Sequence, residues 1–179
     1  IDNGNHLILG ANTAVFSYLD IVGGRAGLVG QKCAEFPFVD IASGERWTLR
    51  PNSGRLPWWI FSPKRRVPGS KWTDYLAGLK LAWAPESATI TDCVGRSKPL
   101  VPRLWEPLTV AVLNISPTEG AARLLWPVVQ LTFGRGEAAC RAFFPRRGLG
   151  PDLVEPAVEF VSSNGGTIVF NRRLTRLTE

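Results

Sequence analysis

At 179 residues, 45% hydrophobic and 20% charged, the chain is long enough for one core and has an ordinary globular composition, which excludes a disordered or fibrous protein. No stretch approaches the roughly 18 uninterrupted apolar residues of a membrane span, and three scattered cysteines (Cys33, Cys93, Cys140) argue against a disulfide framework or zinc site and suit a reducing cytosol. The net charge of +6 would suit a polyanion, but Lys64-Arg65-Arg66, Arg146-Arg147 and Arg172-Arg173 are dispersed, so they read as solvated surface or contacts to further protein, not as a nucleic-acid site.

The chain begins with a short apolar strand at His6 to Leu9. From Asn12, Val15, Tyr18, Leu19 and Val22 recur at helical spacing until Gly23-Gly24 ends the helix. Phe36 to Ile41 and Glu45 to Arg50 flank Ser43-Gly44 as a β-hairpin. Pro51 to Gly69, rich in Pro, Gly and aromatics, reads as irregular. Ser70 is placed to cap a helix from Lys71 to Ala84, with Trp72, Tyr75, Leu76, Leu79 and Trp83 along one side and Pro85 as its stop. Leu104 to Leu113 reads as a buried helix. Ser116-Pro117-Thr118-Glu119 carries a helix-start box, and the helix it heads is expected to run toward Phe133 and bend near Pro127. Asp152 and Glu155 mark a further start. Gly165-Gly166 then turns the chain into a strand at Thr167 to Phe170, with a second through Leu174 and Leu177. The order implies an α+β fold, mostly helical, with one hairpin and short strands.

Gly134-Arg135-Gly136-Glu137-Ala138-Ala139 has the form of a dinucleotide fingerprint, which requires a strand before it and a long helix after it. Pro145 follows too soon, so a glycine turn is the better reading. His6 is the single histidine, so a histidine-rich metal site is excluded and any His-dependent relay must use it. Asp2 and His6 are close enough to make an acid–base pair at a cavity mouth, or, more plainly, each fixes local backbone. Trp58-Trp59 either walls an apolar pocket or packs a core.

Longer matches carry more. The segments Ile1 to Asn12 (IDNGNHLILGAN) and Asp40 to Gly69 (DIASGERWTLRPNSGRLPWWIFSPKRRVPG) resemble the hydroxysqualene dehydroxylases, within the flavin amine oxidase and phytoene desaturase superfamily. Arg103 to Asn114, Phe133 to Arg141 and Gly148 to Leu177 fit the same family in order. The resemblance implies a bacterial FAD oxidoreductase of squalene and hopanoid biosynthesis that reductively removes the hydroxyl of hydroxysqualene. Residues 1–179 then correspond to a substrate-domain portion, an internal fragment lacking both the dinucleotide-binding motif and the closing flavin-cradling segment. Such a piece is not expected to hold FAD by itself, and the missing FAD-binding domain becomes a partner.

By the same resemblance, Asn3 and Gly4 lie near the flavin ring, where a residue without a side chain allows close approach, and Leu174 lies at the adenine contact. His6 is the candidate acid toward the departing hydroxyl, with Asp2 beside it. Trp58, Trp59, Phe61 and Trp105 are the candidate walls for an isoprenoid lipid, their ring faces able to steady a developing cation. The implied location is the cytoplasm, with peripheral contact at the inner membrane face. Two other readings remain open at this level: a desaturase of the carotenoid or phytoene type, and a non-catalytic isoprenoid-binding module touching anionic membrane.

Overall fold

The structure, a computed structural model, describes residues 7–95, 99–173, 175 and 176. Its architecture is α+β: mostly helical, with small antiparallel sheets. By internal contacts the chain divides into two compact units, Asn12–Gly30 with the described part of Phe143–Glu179, and Leu9–Ala11 with Gln31–Ala142.

In the first unit, α1 (Thr13–Val22) follows the expected helix and buries Phe16 and Leu19. Gly23, at φ 75°, closes it, a conformation that glycine adopts without steric cost. A 3-10 turn at Gly24–Gly27 leads to β2 (Leu28–Gly30); the short strand at Ile8–Leu9 is β1. Strand β2 pairs antiparallel with β5 (Ala142–Pro145), Gly30 opposite Phe143 and Leu28 opposite Pro145. The edge of Phe143 meets the Phe16 ring at 5.1 Å, and the Arg25 guanidinium lies 4.2 Å from that ring.

Asp152 anchors this unit's other helix. Its carboxylate is fully buried and accepts from the Arg147 backbone N–H at 2.7 Å and Arg147 Nε at 2.8 Å. A Cβ on Gly27 would lie 2.8 Å from the Asp152 carboxyl, so only glycine leaves it room. These hydrogen bonds, that of the Arg147 backbone first, hold the carboxyl below its ordinary range. From the turn at Gly150–Val154 the chain enters α7 (Glu155–Ser163). Tyr18 donates to the Leu153 carbonyl at 2.7 Å, tying α1 to this turn.

The second unit opens with the expected hairpin, β3 (Phe36–Val39) and β4 (Arg46–Leu49), with Phe36 opposite Leu49 and Phe38 opposite Trp47. Phe38 and Trp47 stack at 5.5 Å, nearly parallel. At the turn, Asp40 Oδ1 accepts from the backbone N–H groups of Ala42 and Ser43, and Gly44 takes φ 71°.

Elsewhere the elements differ from expectation. Ser70 caps no helix: its hydroxyl donates to the Val67 carbonyl at 2.6 Å. A single α-turn, α2 (Trp72–Tyr75), gives way to 3-10 geometry over Leu76–Trp83. Its start is fixed by Asp74, whose carboxylate accepts the Lys71 N–H at 2.7 Å. Of the five residues expected along one side, Tyr75 is half-buried, and Trp72, Leu76, Leu79 and Trp83 are exposed. The buried set, Gly78 and Leu81 behind half-buried Tyr75, follows a period of three, as 3-10 winding dictates. Trp83 is 80% exposed.

The box at Ser116 to Glu119 makes only an isolated turn, in which Glu119 N–H and Gly120 N–H bond the Ser116 carbonyl. The chain then runs extended because Ile90 N–H bonds Gly120 O and Ala122 N–H bonds Ala88 O. This tertiary pairing overrides the local start signal, and α5 begins only at Ala122, running to Leu131 with Pro127 inside it. The better start box is at Thr89, whose hydroxyl accepts Asp92 N–H while Asp92 accepts Thr89 N–H, heading α3 (Ile90–Val94). The helix expected to be buried at 104–113 is split into a wide π turn (Val101–Trp105) and α4 (Glu106–Leu113), and of these positions only Leu104, Trp105 and Thr109 are buried, while Val110 and Val112 are exposed.

No strand forms at Thr167 to Phe170. Val169 and Phe170 are exposed and find no ladder partner among the described residues, and β-branched composition alone does not make a strand. Leu174 and Leu177, read as a second strand, lie outside the described residues.

Glu137 is the second buried carboxylate, 8% exposed, at the start of α6 (Glu137–Cys140). It accepts Ala34 N–H at 2.6 Å and both Arg141 Nε and Nη2 at 2.8 Å. The Arg141 bonds lead in holding its carboxyl below the ordinary value, with burial opposing. A depressed folded pKa means that this stability is present above the unfolded value of about 4.5 and is lost as pH falls through the lower folded value. Urea midpoints are therefore expected to fall steeply below pH 4.5. Glu137→Gln should cost about 2 kcal/mol at pH 7, the low end for a buried charged hydrogen-bond network because Arg141 is partly solvated, and should flatten that acid limb. An unchanged acid limb in the variant refutes this assignment.

Candidate functional site

The second unit contains an apolar cleft of about 480 Å³, within the range of roughly 300–1,000 Å³ typical of small-molecule sites. One wall is the loop Arg55 to Phe61, which winds into a 3-10 turn at Trp58–Phe61. Tyr75, Leu76, Gly78 and Leu79 form a second wall. Leu104, Trp105 and Leu108 contribute from the π turn and α4, and Trp126, Val129, Gln130, Phe133 and Gly134 from α5 and beyond.

A loop rich in proline and glycine holds its shape here because Asn52 uses both ends of its carboxamide and its backbone carbonyl. Its Oδ1 accepts Trp59 N–H at 2.9 Å, its Nδ2 donates to Ser53 O at 2.6 Å and Leu56 O at 3.0 Å, and its carbonyl accepts Glu137 N–H at 2.9 Å. Beneath that bond Gly136, at φ 89°, lies so close to Gly54 that a Cβ would collide with the Gly54 carbonyl oxygen. The sequence Gly134 to Ala139 is thus a glycine turn, as read from sequence: Phe133–Arg135 closes as a 3-10 turn and only a four-residue helix follows. It is no cradle for a pyrophosphate.

Aromatic rings line the cleft in contact with one another. Trp59 is buried and meets Tyr75 edge-on at 5.2 Å and Phe133 at 5.8 Å. Trp58 and Phe61, at the mouth, are 6.0 Å apart. Tyr75 accepts the Val67 N–H at 2.9 Å and lies 3.3 Å from Ser70 Oγ, while burial raises its pKa. Its phenol stays neutral and engaged, so Tyr75 acts as a wall. The lining holds no carboxylate, histidine or cysteine. This cavity can bind, orient and keep dry an apolar molecule; it does not by itself supply an acid or base.

All four expected wall residues, Trp58, Trp59, Phe61 and Trp105, are brought to this one cleft. Asp2, Asn3, Gly4, His6 and Leu174, expected for acid, flavin and adenine contacts, lie outside the described residues. Sequence reading missed Leu104, Leu108, Trp126, Val129 and Phe133. Leu104 and Leu108 fell in a segment read only as a buried helix, and Trp126, Val129 and Phe133 in one read only as a helix running toward Phe133. Among the described residues no cluster of His, Cys, Asp and Glu is arranged to hold a metal, and no helix is long and apolar enough to cross a membrane. The cysteines are free thiols, that of Cys140 pushed up to about 12 by burial.

Comparison with known proteins bears out the resemblance along the whole chain. It is 44% identical over 178 residues to a hydroxysqualene dehydroxylase of Rhodopseudomonas palustris, and 40% identical over 179 residues to one of Sinorhizobium fredii. A third, from Zymomonas mobilis, is 36% identical over 177 residues. Each alignment covers 99% or more of this chain and 43% of the relative, so the chain spans less than half the length of these proteins. No family model matches it.

Gly78 tests the cleft directly. A Cβ there would meet the Trp105 ring at 2.7 Å, so Gly78→Val drives that ring inward. At about 1–3 kcal/mol for overpacking, binding of a long-chain apolar probe, read by tryptophan quenching, should weaken about tenfold. Gly134→Ala, whose Cβ would come no nearer than 3.6 Å to Val129 O, is the control and should bind as the parent does. Equal binding by both variants would show that the probe sits elsewhere.

Proposed function

We propose that this chain is the substrate-holding portion of an FAD-dependent oxidoreductase that reductively removes the hydroxyl of hydroxysqualene to give squalene, on the route to hopanoids. One observation carries the reading: a chain 36–44% identical to hydroxysqualene dehydroxylases gathers Trp58, Trp59, Phe61 and Trp105 around a single apolar cleft. A polyisoprenoid offers only apolar surface along its length, and such a lining binds it by area removed from water. A dry cavity also strengthens any electrostatic interaction with the reacting carbon. Ring faces there would steady a cation left as hydroxide departs.

FAD is the proposed source of reducing equivalents. The glycine motif at Gly134 to Ala139 packs against Gly54 and offers no phosphate cradle. Flavin binding is assigned in this proposal chiefly to other parts of the whole protein, with Asn3, Gly4 and Leu174 as the contributions of this chain. The acid proposed for the leaving hydroxyl is His6, with Asp2 as its neighbour.

The test uses the full-length natural protein with its flavin. Hydroxysqualene and a reductant are expected to yield squalene. Phytoene with an oxidant should yield nothing; turnover in that second assay would favour a carotenoid desaturase. The cleft lining's lack of a carboxylate, histidine or cysteine favours a second reading, a non-catalytic isoprenoid-binding module, which predicts binding of hydroxysqualene with no product. His6→Ala should slow turnover by roughly 10²-fold and leave flavin content intact. Turnover equal to the parent's would remove His6 from the mechanism.

A further inference from the structure

The mouth of the cleft belongs to a larger exposed surface. Leu56 and Trp58 are each 61% exposed, Phe61 49%, Leu76 45% and Leu79 50%, and all five also line the cleft. The patch extends beyond the mouth to Trp72, 43% exposed, whose ring lies 5.4 Å from that of Phe61. Half-exposed aromatics in ring contact are a costly surface to leave in water. Tryptophan is the side chain that favours an interface with one dry and one wet side.

The charges on this stretch are equally one-sided. Residues 55–83 carry Arg55, Lys64, Arg65, Arg66, Lys71 and Lys80 against one acid, Asp74, so five of the chain's six net positive charges fall within them. Among the described residues, the ion pairs use Arg25, Arg50, Arg103, Arg123, Arg141 and Arg147, all outside this stretch. Asp74 turns its carboxylate to the Lys71 backbone N–H and, among the described residues, makes no ion pair with these cations. A protein partner covering the patch would need carboxylates for six cations as well as apolar area. An anionic bilayer supplies both at once, headgroup phosphates outside and acyl chains beneath.

We propose that residues 55–83 carry a membrane-docking face: Trp58, Phe61 and Trp72 insert at the acyl–headgroup boundary of an anionic bilayer, and the Lys and Arg side chains of this stretch bind its phosphates. Docking in this pose sets the mouth of the cleft against the acyl layer. A water-insoluble lipid then passes between membrane and cleft without crossing water. This last step rests on the proposed substrate; the docking itself does not.

The experiment uses the full-length protein and vesicles of phosphatidylcholine with 30% phosphatidylglycerol, a composition of our choosing, against phosphatidylcholine alone, read by co-sedimentation. Strong binding is expected only to the anionic vesicles, weakening as salt shortens the Debye length to about 8 Å at 0.15 M. Lys64→Glu with Arg65→Glu should weaken binding at least about 20-fold, since each cation near an anionic surface contributes on the order of 1 kcal/mol. Trp72→Ser, at a residue outside the cleft lining, should weaken it severalfold with little change in melting temperature. Turnover of detergent-dispersed substrate should stay within twofold for both variants.

Vesicle binding without squalene formation would defeat the functional proposal and leave docking intact. Squalene formation with no anionic-vesicle binding, or with variants that bind as the parent does, overturns docking. If another part of the polypeptide covers the patch, vesicles do not bind, which also overturns it.

Discussion

The cleft depends on one side chain that never touches its contents. A segment of proline, glycine and serine cannot hold an aromatic wall by its own conformational preference, because few of its backbone groups find helical or strand partners. Asn52 supplies those partners. Its carboxamide takes one N–H at Trp59 and gives two to carbonyls at Ser53 and Leu56, so one planar group fixes both ends of the loop that presents Trp58 and Trp59. An aspartate could accept but not donate, and a leucine could do neither.

That loop is in turn fixed to the rest of its unit by Glu137. The Asn52 carbonyl accepts the Glu137 N–H, while the Glu137 carboxylate reaches Ala34 and Arg141. A buried carboxylate is expensive unless every lone pair is used, and here two segments far apart in sequence must both be in place to use them. The first unit repeats the device with Asp152, the Arg147 backbone and Gly27. In each unit a glycine with no room for a Cβ, Gly136 or Gly27, lies beside the buried acid or one residue from it. Small size and full hydrogen bonding are thus required together.

What was legible in the sequence follows from how local each signal is. The helix after Asn12, the hairpin around Ser43-Gly44 and the glycine turn at 134–136 rest on short-range chemistry, and they formed as read. Ser70 and Ser116 carried equally plausible local signals and lost. In one the hydroxyl found the Val67 carbonyl; in the other the chain was drawn into pairing with Ala88 and Ile90. Thr167 to Phe170 shows the converse, strand-forming residues without a ladder. The gathering of Trp58, Trp59, Phe61 and Trp105 came from family resemblance, because nothing in their spacing brings positions 59 and 105 together. Trp126 and Phe133 needed the fold itself.

The run from Leu76 to Trp83 shows why winding matters to the site. In a 3-10 helix residues three apart eclipse one another, so Tyr75, Gly78 and Leu81 stack toward the interior while Leu76 and Leu79 form a second row. An α-helix would turn each residue by about 100° instead of 120°, and by the second turn Leu79 would swing away from the row that borders the cleft. Gly78 lets this winding lie against Trp105, whose ring occupies the space a side chain would fill. Long 3-10 runs are uncommon because their hydrogen bonds are strained. The tight winding lets one segment set Leu81 in the core and wall the cleft with Tyr75, Leu76, Gly78 and Leu79, using three residues per turn.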